Sequence, residues 1–260
     1  MNNNIFWNRG ELKTRAKGAF YKNYWSAVLV SLIIAIVSAA SASGSGKSGV
    51  KEWITSDSSV STYDSVNGIL HTVRSPFGLL LATVGISMLI LIGLLGILFH
   101  ILVGNVLEAG GRSFYIENLY GKPGVDKILS LFRSGNYGNV VVTMFLRDLY
   151  TFLWSLLLII PGIIKAYEYR MVPYLLAEYP NMDRKEAFEK SRQMMNGQKW
   201  NTFVLDLSFI PWDILSSITF GIVGLFYVNP YKDATSAELY DLLSAGNVTG
   251  GTYKTGGFDI

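Results

Sequence analysis

The chain has no cysteine. A disulfide framework, a thiolate metal site and a cysteine nucleophile are therefore excluded, and the redox state of its compartment leaves no mark on the sequence. Histidine is almost absent too: His71 and His100 are the only two, which leaves little for imidazole metal sites or acid–base chemistry. Charge is scarce. Asp, Glu, Lys and Arg make up 16% of the 260 residues, against about 25% in ordinary soluble domains, while 50% are hydrophobic and the mean hydropathy is +0.31. From Gly78 to Leu107 there is no charged side chain at all. Roughly 20 apolar residues already cross the hydrocarbon core, so this run excludes a large soluble helical core and makes a membrane protein the expectation.

The net charge of +3 says less than the placement of the basic residues. Residues 5–22 carry Arg9, Lys13, Arg15, Lys17 and Lys22 against Glu11, with Leu12, Ala16, Ala19 and Phe20 at helical spacing opposite them. Either this is a basic amphipathic helix on the cytoplasmic membrane surface, or a solvated helix that only fixes orientation by its charge. Tyr24 and Trp25 open a first span over 24–42, read as an uncleaved anchor despite the peptidase-like Ala40-Ser41-Ala42. The Ser/Gly-rich stretch that follows places an extracytoplasmic loop at 43–77. Its Gly44-Ser45-Gly46-Lys47-Ser48 imitates a phosphate loop, but Ser41 stands where that pattern needs glycine. A second span covers 78–107, and Gly110-Gly111-Arg112 is expected to break it on the cytoplasmic side. There, Ile128 to Phe132 is expected to lie against the membrane.

Hydropathy then continues from Val140 nearly to Tyr179. As one helix it would send Arg184, Lys185, Lys190, Arg192 and Lys199 outside, against the positive-inside bias. A turn at Pro161-Gly162 returns them to the cytoplasm and gives spans at 140–160 and 163–179. Asp183 and Glu186 predict a capped helix with Ala187, Phe188, Ser191, Met194 and Met195 on one side, a second basic amphipathic interfacial helix. Spans at 201–216 and 222–243 follow, then a flexible tail over 246–260. The fold class is all-α: a transmembrane bundle of six spans in a single membrane domain, 1–245, with both termini cytoplasmic. Gly162-Ile163-Ile164 before Pro173-Tyr174, and Gly221-Ile222-Val223 before Pro230-Tyr231, suggest a duplicated hairpin.

The segments ELKTRAK, IIPGIIKAYEYRMVPYLLAE, EAFEKSRQMMNGQKW, FVLDLSFIPW and NPYKDATSAELYDLL resemble a bacterial integral-membrane family known as domain of unknown function 975. The resemblance covers nearly the whole chain outside the Ser/Gly-rich loop and the tail. It implies a multi-spanning helical protein of the plasma membrane and carries no established activity. Pro211, where glycine is expected, and Asp213 depart from the pattern.

Ionisable groups at membrane depth cost about 2.5 to 3.5 kcal/mol each at a helix centre, so each needs a reason. Here they are Arg147, Asp148, Lys165, Glu168, Arg170, Asp206 and Asp213. Two readings stand open. They pair across helices and fix the bundle, or Glu168, Arg170 and Asp206 line a polar pathway or headgroup pocket as in transporters. Catalysis is not expected: there is no HExxH helix, and Ser87 and His100 lie about 20 Å apart along one helix at ~1.5 Å per residue. No cofactor or metal is expected, nor a nucleic-acid partner. Membrane lipids are, with Arg9, Lys13, Lys17, Lys185, Lys190 and Arg192 as candidate contacts to anionic headgroups.

Overall fold

The computed structural model describes residues 7–42 and 76–249, all of them helical or in short connections, with no strand among them. The expected extracytoplasmic loop, apart from Pro76 and Phe77, lies outside the described residues, as do the phosphate-loop mimic, His71 and residues 250–260. The expected flexible tail starts inside a helix that runs to Thr249. The chain divides into two compact units, residues 37–100 and the remainder.

The smaller unit holds the end of helix α2 (Tyr24–Ala42) and helix α3 (Pro76–Phe99). Its large apolar side chains from Val84 to Phe99 are 47–70% exposed.

The larger unit is built round two helices, α4 (Asn105–Tyr120) and α12 (Asn229–Thr249). Helix α1 (Arg9–Lys22) begins on an Asn8 cap that accepts from Gly10 and packs along α12. It turns by 100° into α2 at Asn23, whose amide donates to Asn118 Oδ1 and the Pro123 carbonyl, both at 3.0 Å. Leu12, Ala16, Ala19 and Phe20, the face expected toward the membrane, are buried inside the protein.

Gly110 and Gly111 do not break their helix, as the sequence suggested. They lie within α4 because other chain segments come too close for a side chain. A Cβ on Gly110 would strike the Ile128 carbonyl, and one on Gly111 would strike the Ile34 side chain. Ile128 and Leu131 are correspondingly buried, 3% and 2% exposed, rather than laid on a membrane.

After the short α5 (Ser130–Arg133) comes a hairpin of α6 (Tyr137–Leu157) and α7 (Ile159–Glu168). Val140, Val141 and Met144 of α6 join Val106 and Ala109 of α4 in one apolar core with Leu131, Tyr169, Val172 and Leu176. The turn of this hairpin is the single extended residue Leu158, not Pro161-Gly162. Pro161 falls in the first turn of α7, where its missing N–H has no partner to lose. Gly162 is needed for closeness: a Cβ there would lie 2.6 Å from Ser155 Cα.

Helix α7 ends at Glu168, so no continuous helix runs from 163 to 179. Ser191 bridges the gap to α8 (Val172–Glu178): its hydroxyl donates to the Glu168 carbonyl at 2.7 Å and accepts from the Met171 amide at 3.2 Å. Helix α9 (Arg184–Met194), capped by Asp183 as expected, buries Ala187, Ser191 and Met194 against α8. The stretch 201–216 is also two short helices, α10 (Lys199–Leu207) and α11 (Ile210–Ile218), with Pro211 in the first turn of the second. Gly221, at φ 84°, then turns the chain into the arm that leads to α12.

Two helical stretches are long and apolar enough to cross a membrane, Thr83–Tyr120 and Tyr137–Leu157, or three if α1 and α2 count as one bent span. Six such stretches are not found among the described residues.

Candidate functional site

The charges expected at membrane depth fall into separate clusters, and each has its partner. Lys165 donates to Glu168 at 2.6 Å, and Lys199 reaches the other oxygen of that carboxylate at 2.5 Å. Arg170 grips Asp206 with two parallel bonds of 2.6 and 2.9 Å, and Tyr167 donates to the same carboxylate. Asp213 receives Lys232 at 2.5 and 2.7 Å. Thus Arg170 meets Asp206, while Glu168 belongs to a different cluster.

Arg147 and Asp148 belong to the largest cluster, and much of it is not evident in the sequence. Arg147 donates to both oxygens of Glu108, at 3.2 and 3.0 Å, and to Asp148 at 2.9 and 2.7 Å. Asn105 donates to the second oxygen of Asp148 at 3.0 Å. One turn along α4 from Glu108, Arg112 binds Asp233 of α12 at 2.6 Å, and Ser31 donates to the other Asp233 oxygen at 2.7 Å. The i,i+4 spacing of Glu108 and Arg112 is the signal that could have found them. It is hidden because Gly110-Gly111 looks like a helix end.

These groups line a cavity of about 640 Å³. Glu108 and Arg112 come from α4, Arg147 and Asp148 from α6, and Asp233 and Ser236 from α12; Arg170 and Tyr174 close it from the α7–α8 side. Phe152, Ala166 and Pro173 form its apolar part, next to the first hairpin. The Arg112 guanidinium lies 5.3 Å from the Tyr174 ring centre, and Tyr174 stacks on Tyr240 at 5.2 Å. The Tyr174 hydroxyl faces Ser236 without a hydrogen bond of normal geometry, and Arg112 Nε has no acceptor.

Of the candidate lipid contacts, Arg9, Lys185 and Arg192 are exposed. Lys13 sits 4.0 Å from the Phe209 ring centre and donates to the Ser208 carbonyl, Lys17 lies 5.6 Å from Tyr231, and Lys190 5.3 Å from Tyr179. Where α1 meets α12, burial pushes the Glu238 carboxyl up to about 7 against the pull of Arg15, with Asp241 adding repulsion. No group of three or more His, Asp or Glu side chains fit to hold a metal occurs among the described residues.

The Arg170–Asp206, Lys165–Glu168 and Lys232–Asp213 clusters all lie in the segment from the tip of the first hairpin to α12, the segment in which the chain is similar to a known family. Residues 156–247 match the protein family of unknown function DUF975. The DUF975 match takes in α7 to most of α12 but not ELKTRAK in α1, so it is narrower than the resemblance read from the sequence. No curated protein and no solved structure matches the chain.

Proposed function

We propose that the chain is a multi-pass plasma-membrane protein with a non-enzymatic role: structural, regulatory or lipid-contacting. The observation that carries this is the inverted distribution of polarity. Leu156, Leu157, Leu158, Ile159 and Ile160 are 62–75% exposed at the tip of the first hairpin, while Arg147, Glu108 and Arg112 pair inside. Ile214, Ile218, Phe220 and Ile222 form a similar exposed tip on the second hairpin, with Phe220 97% exposed. Apolar groups outside and paired charges inside is what a hydrocarbon solvent selects.

Six crossings would require each hairpin turn to emerge outside the cell. The exposed apolar arm from Phe152 to Leu157 is about 9 Å long at ~1.5 Å per residue, whereas the hydrocarbon core is about 30 Å thick. We therefore read both hairpins as half-depth insertions that return to the cytoplasmic face, with the crossings supplied by α2 and α3. This keeps the basic segment 184–199 and both termini inside. The lack of cysteine makes the test clean. Leu158→Cys and Phe220→Cys in inverted and right-side-out vesicles should both resist an impermeant maleimide added from outside. Labelling of one of them from outside in right-side-out vesicles turns that hairpin into two crossings, and labelling of both restores six.

Exposed Arg9, Lys185 and Arg192 are the residues we propose to touch anionic lipid, with Lys13, Lys17 and Lys190 supporting them from their aromatic seats. Stability of the reconstituted chain should rise with phosphatidylglycerol content and fall back on reversal of the three exposed charges. No dependence on anionic lipid sinks that part. A small-molecule or ion transporter is the second reading, favoured by the charged cavity. Solute-dependent uptake into proteoliposomes is its test.

A further inference from the structure

An almost wholly apolar groove of about 300 Å³ runs between α7 and α10. Ile160, Ile164 and Tyr167 line it on one side, and Trp200 and Phe203 on the other. The groove is open to the surroundings: Ile160 and Ile164 are exposed, and Trp200 is 71% exposed. Phe203 joins the two walls, its ring centre 5.4 Å from that of Trp200 and 6.3 Å from that of Tyr167.

The two ends of the groove differ in charge. Ile160 lies at the hairpin tip, while Tyr167 lies next to Glu168, about 10 Å away along α7 at ~1.5 Å per residue. Lys199 belongs both to the groove and to the charge cluster at this second end. Its stem lines the apolar wall, and its ammonium reaches Glu168 at 2.5 Å. Lys165 meets the same carboxylate at 2.6 Å, and Arg192 of α9 stands 3.9 Å from it, too far for a hydrogen bond. Three cations around one carboxylate leave positive charge in excess, and the neighbouring Arg170–Asp206 pair is already balanced. Lys165 also leans on the Trp154 ring at 5.5 Å, but the Arg192 side chain is 57% exposed and open to a further acceptor.

A groove that is apolar toward the tip and cationic at the base fits an amphiphile with a negative head. A zwitterionic head would bring its own ammonium to a cluster that already has surplus cations. A helix from a second copy would cover the groove and leave that surplus unanswered. We propose that the groove holds one acyl chain of an anionic phospholipid, with the lipid phosphate at Arg192 and Lys199. Arginine meets phosphate with paired N–H donors, and a lysine ammonium has three, enough to keep Glu168 and add a phosphate oxygen. Trp200 then sits at headgroup level, the depth tryptophan favours in membranes. This inference rests on the reading of the first hairpin as a half-depth insertion from the cytoplasmic face, and it names one bound lipid within the broader surface contact.

The test uses the full chain in nanodiscs of phosphatidylcholine carrying a minor fraction of phosphatidylglycerol or phosphatidylethanolamine, with soluble glycerol phosphate as competitor. Lipid retained per chain is read by native mass spectrometry, and its position by quenching of tryptophan fluorescence with brominated acyl chains. A single phosphatidylglycerol should stay with each chain. Arg192→Gln should release it roughly tenfold more readily, as loss of a charged hydrogen bond predicts, and Ile164→Asn should loosen it by making the groove polar. Both side chains are exposed, so neither change should unfold the chain. Brominated phosphatidylglycerol should quench more than brominated phosphatidylcholine, and the excess should vanish in Trp200→Phe. Equal retention of phosphatidylethanolamine, retention unchanged in either variant, or excess quenching that survives Trp200→Phe overturns the site. So does displacement by glycerol phosphate, which would mean that the groove adds nothing, or pairing with a second copy that sheds the lipid. Stabilisation by phosphatidylglycerol that persists in both variants leaves the surface contact standing and removes this site alone. A chain that fails to enter nanodiscs overturns the membrane reading together with the site.

Discussion

Ser155 meets Gly162 across the first hairpin, and Ser216 meets Gly224 across the second. Both contacts sit just below an exposed apolar tip, and both arms lead on to a Pro-Tyr pair, Pro173-Tyr174 and Pro230-Tyr231. The two differ in how they are held. In the first, a Cβ on Gly162 would meet the Ser155 hydroxyl and also Ser155 Cα at 2.6 Å and Cβ at 2.9 Å, so backbone lies against backbone as well. In the second, a Cβ on Gly224 would meet the Ser216 hydroxyl, with Ser216 Cβ at 3.3 Å, so a rotatable side chain lies between. The first turns at Leu158 without a positive φ, while the second uses Phe220 and Gly221 at φ 51° and 84°. Below the first tip lies the Arg147 network, whose arginine side chain is 16% exposed; below the second, the Lys232–Asp213 pair is 35% and 48% exposed. The same hairpin plan is fixed by buried packing in one case and by turn chemistry and a solvated pair in the other.

The largest difference should appear at the charges. Arg147→Ala leaves Glu108 and Asp148 without the cation they share, and breaking a buried pair this way costs about 3 to 5 kcal/mol. We expect the variant to fail to accumulate, or to unfold in detergent far below the parent. Wild-type stability would mean that the cluster is wet throughout.

Next come the glycines. Gly162→Ala should cost about 1 to 3 kcal/mol by overpacking, and Ser155→Ala should not rescue it, because Ser155 Cα and Cβ still obstruct once the hydroxyl is gone. Gly224→Ala should cost less and be rescued by Ser216→Ala, which removes the obstructing hydroxyl. Two double-mutant cycles on unfolding temperature therefore separate the hairpins: coupling is expected at Ser216–Gly224 and little at Ser155–Gly162. Rescue in both would make the two contacts equivalent.

Much of this architecture can be read in the sequence, but not the roles of its punctuation. The uncharged run at Gly78–Leu107, the Asp183 cap and the echo between the two Pro-Tyr segments all correspond to structure. Pro161, Gly110 and Gly111 were misleading for one reason. Each looks like a breaker, yet proline in a first turn breaks nothing, and glycine inside a helix equally serves close approach. Which role applies depends on neighbours such as Ile128 and Ser155, distant in the chain or across a turn. The charged site was half legible for a related reason. Arg147, Asp148, Arg170 and Asp206 stand out against apolar neighbours, whereas Glu108, Arg112 and Asp233 lie in ordinary polar surroundings and are collected only by folding.

A smaller effect tests the turn. Gly221→Ala places a side chain at φ 84° with open space around it, so its cost is backbone strain alone, about 1 kcal/mol. Leu158→Ala, at a turn without strain, should change unfolding temperature less in detergent.

The smallest expected effect bears on how deep the second hairpin sits. Lys232 and Asp213 are exposed enough that, in water, removing the lysine should cost no more than about 1 kcal/mol. The same pair placed in hydrocarbon would behave as the Arg147 network does, since the lost partner leaves a carboxylate in a low dielectric. Lys232→Ala should therefore shift the unfolding temperature by a few degrees at most, and less at high salt, if the base of the hairpin lies at the headgroups. A loss comparable to Arg147→Ala and insensitive to salt would put that base inside the hydrocarbon, and with it the exposed tip from Ile218 to Ile222 well beyond half depth.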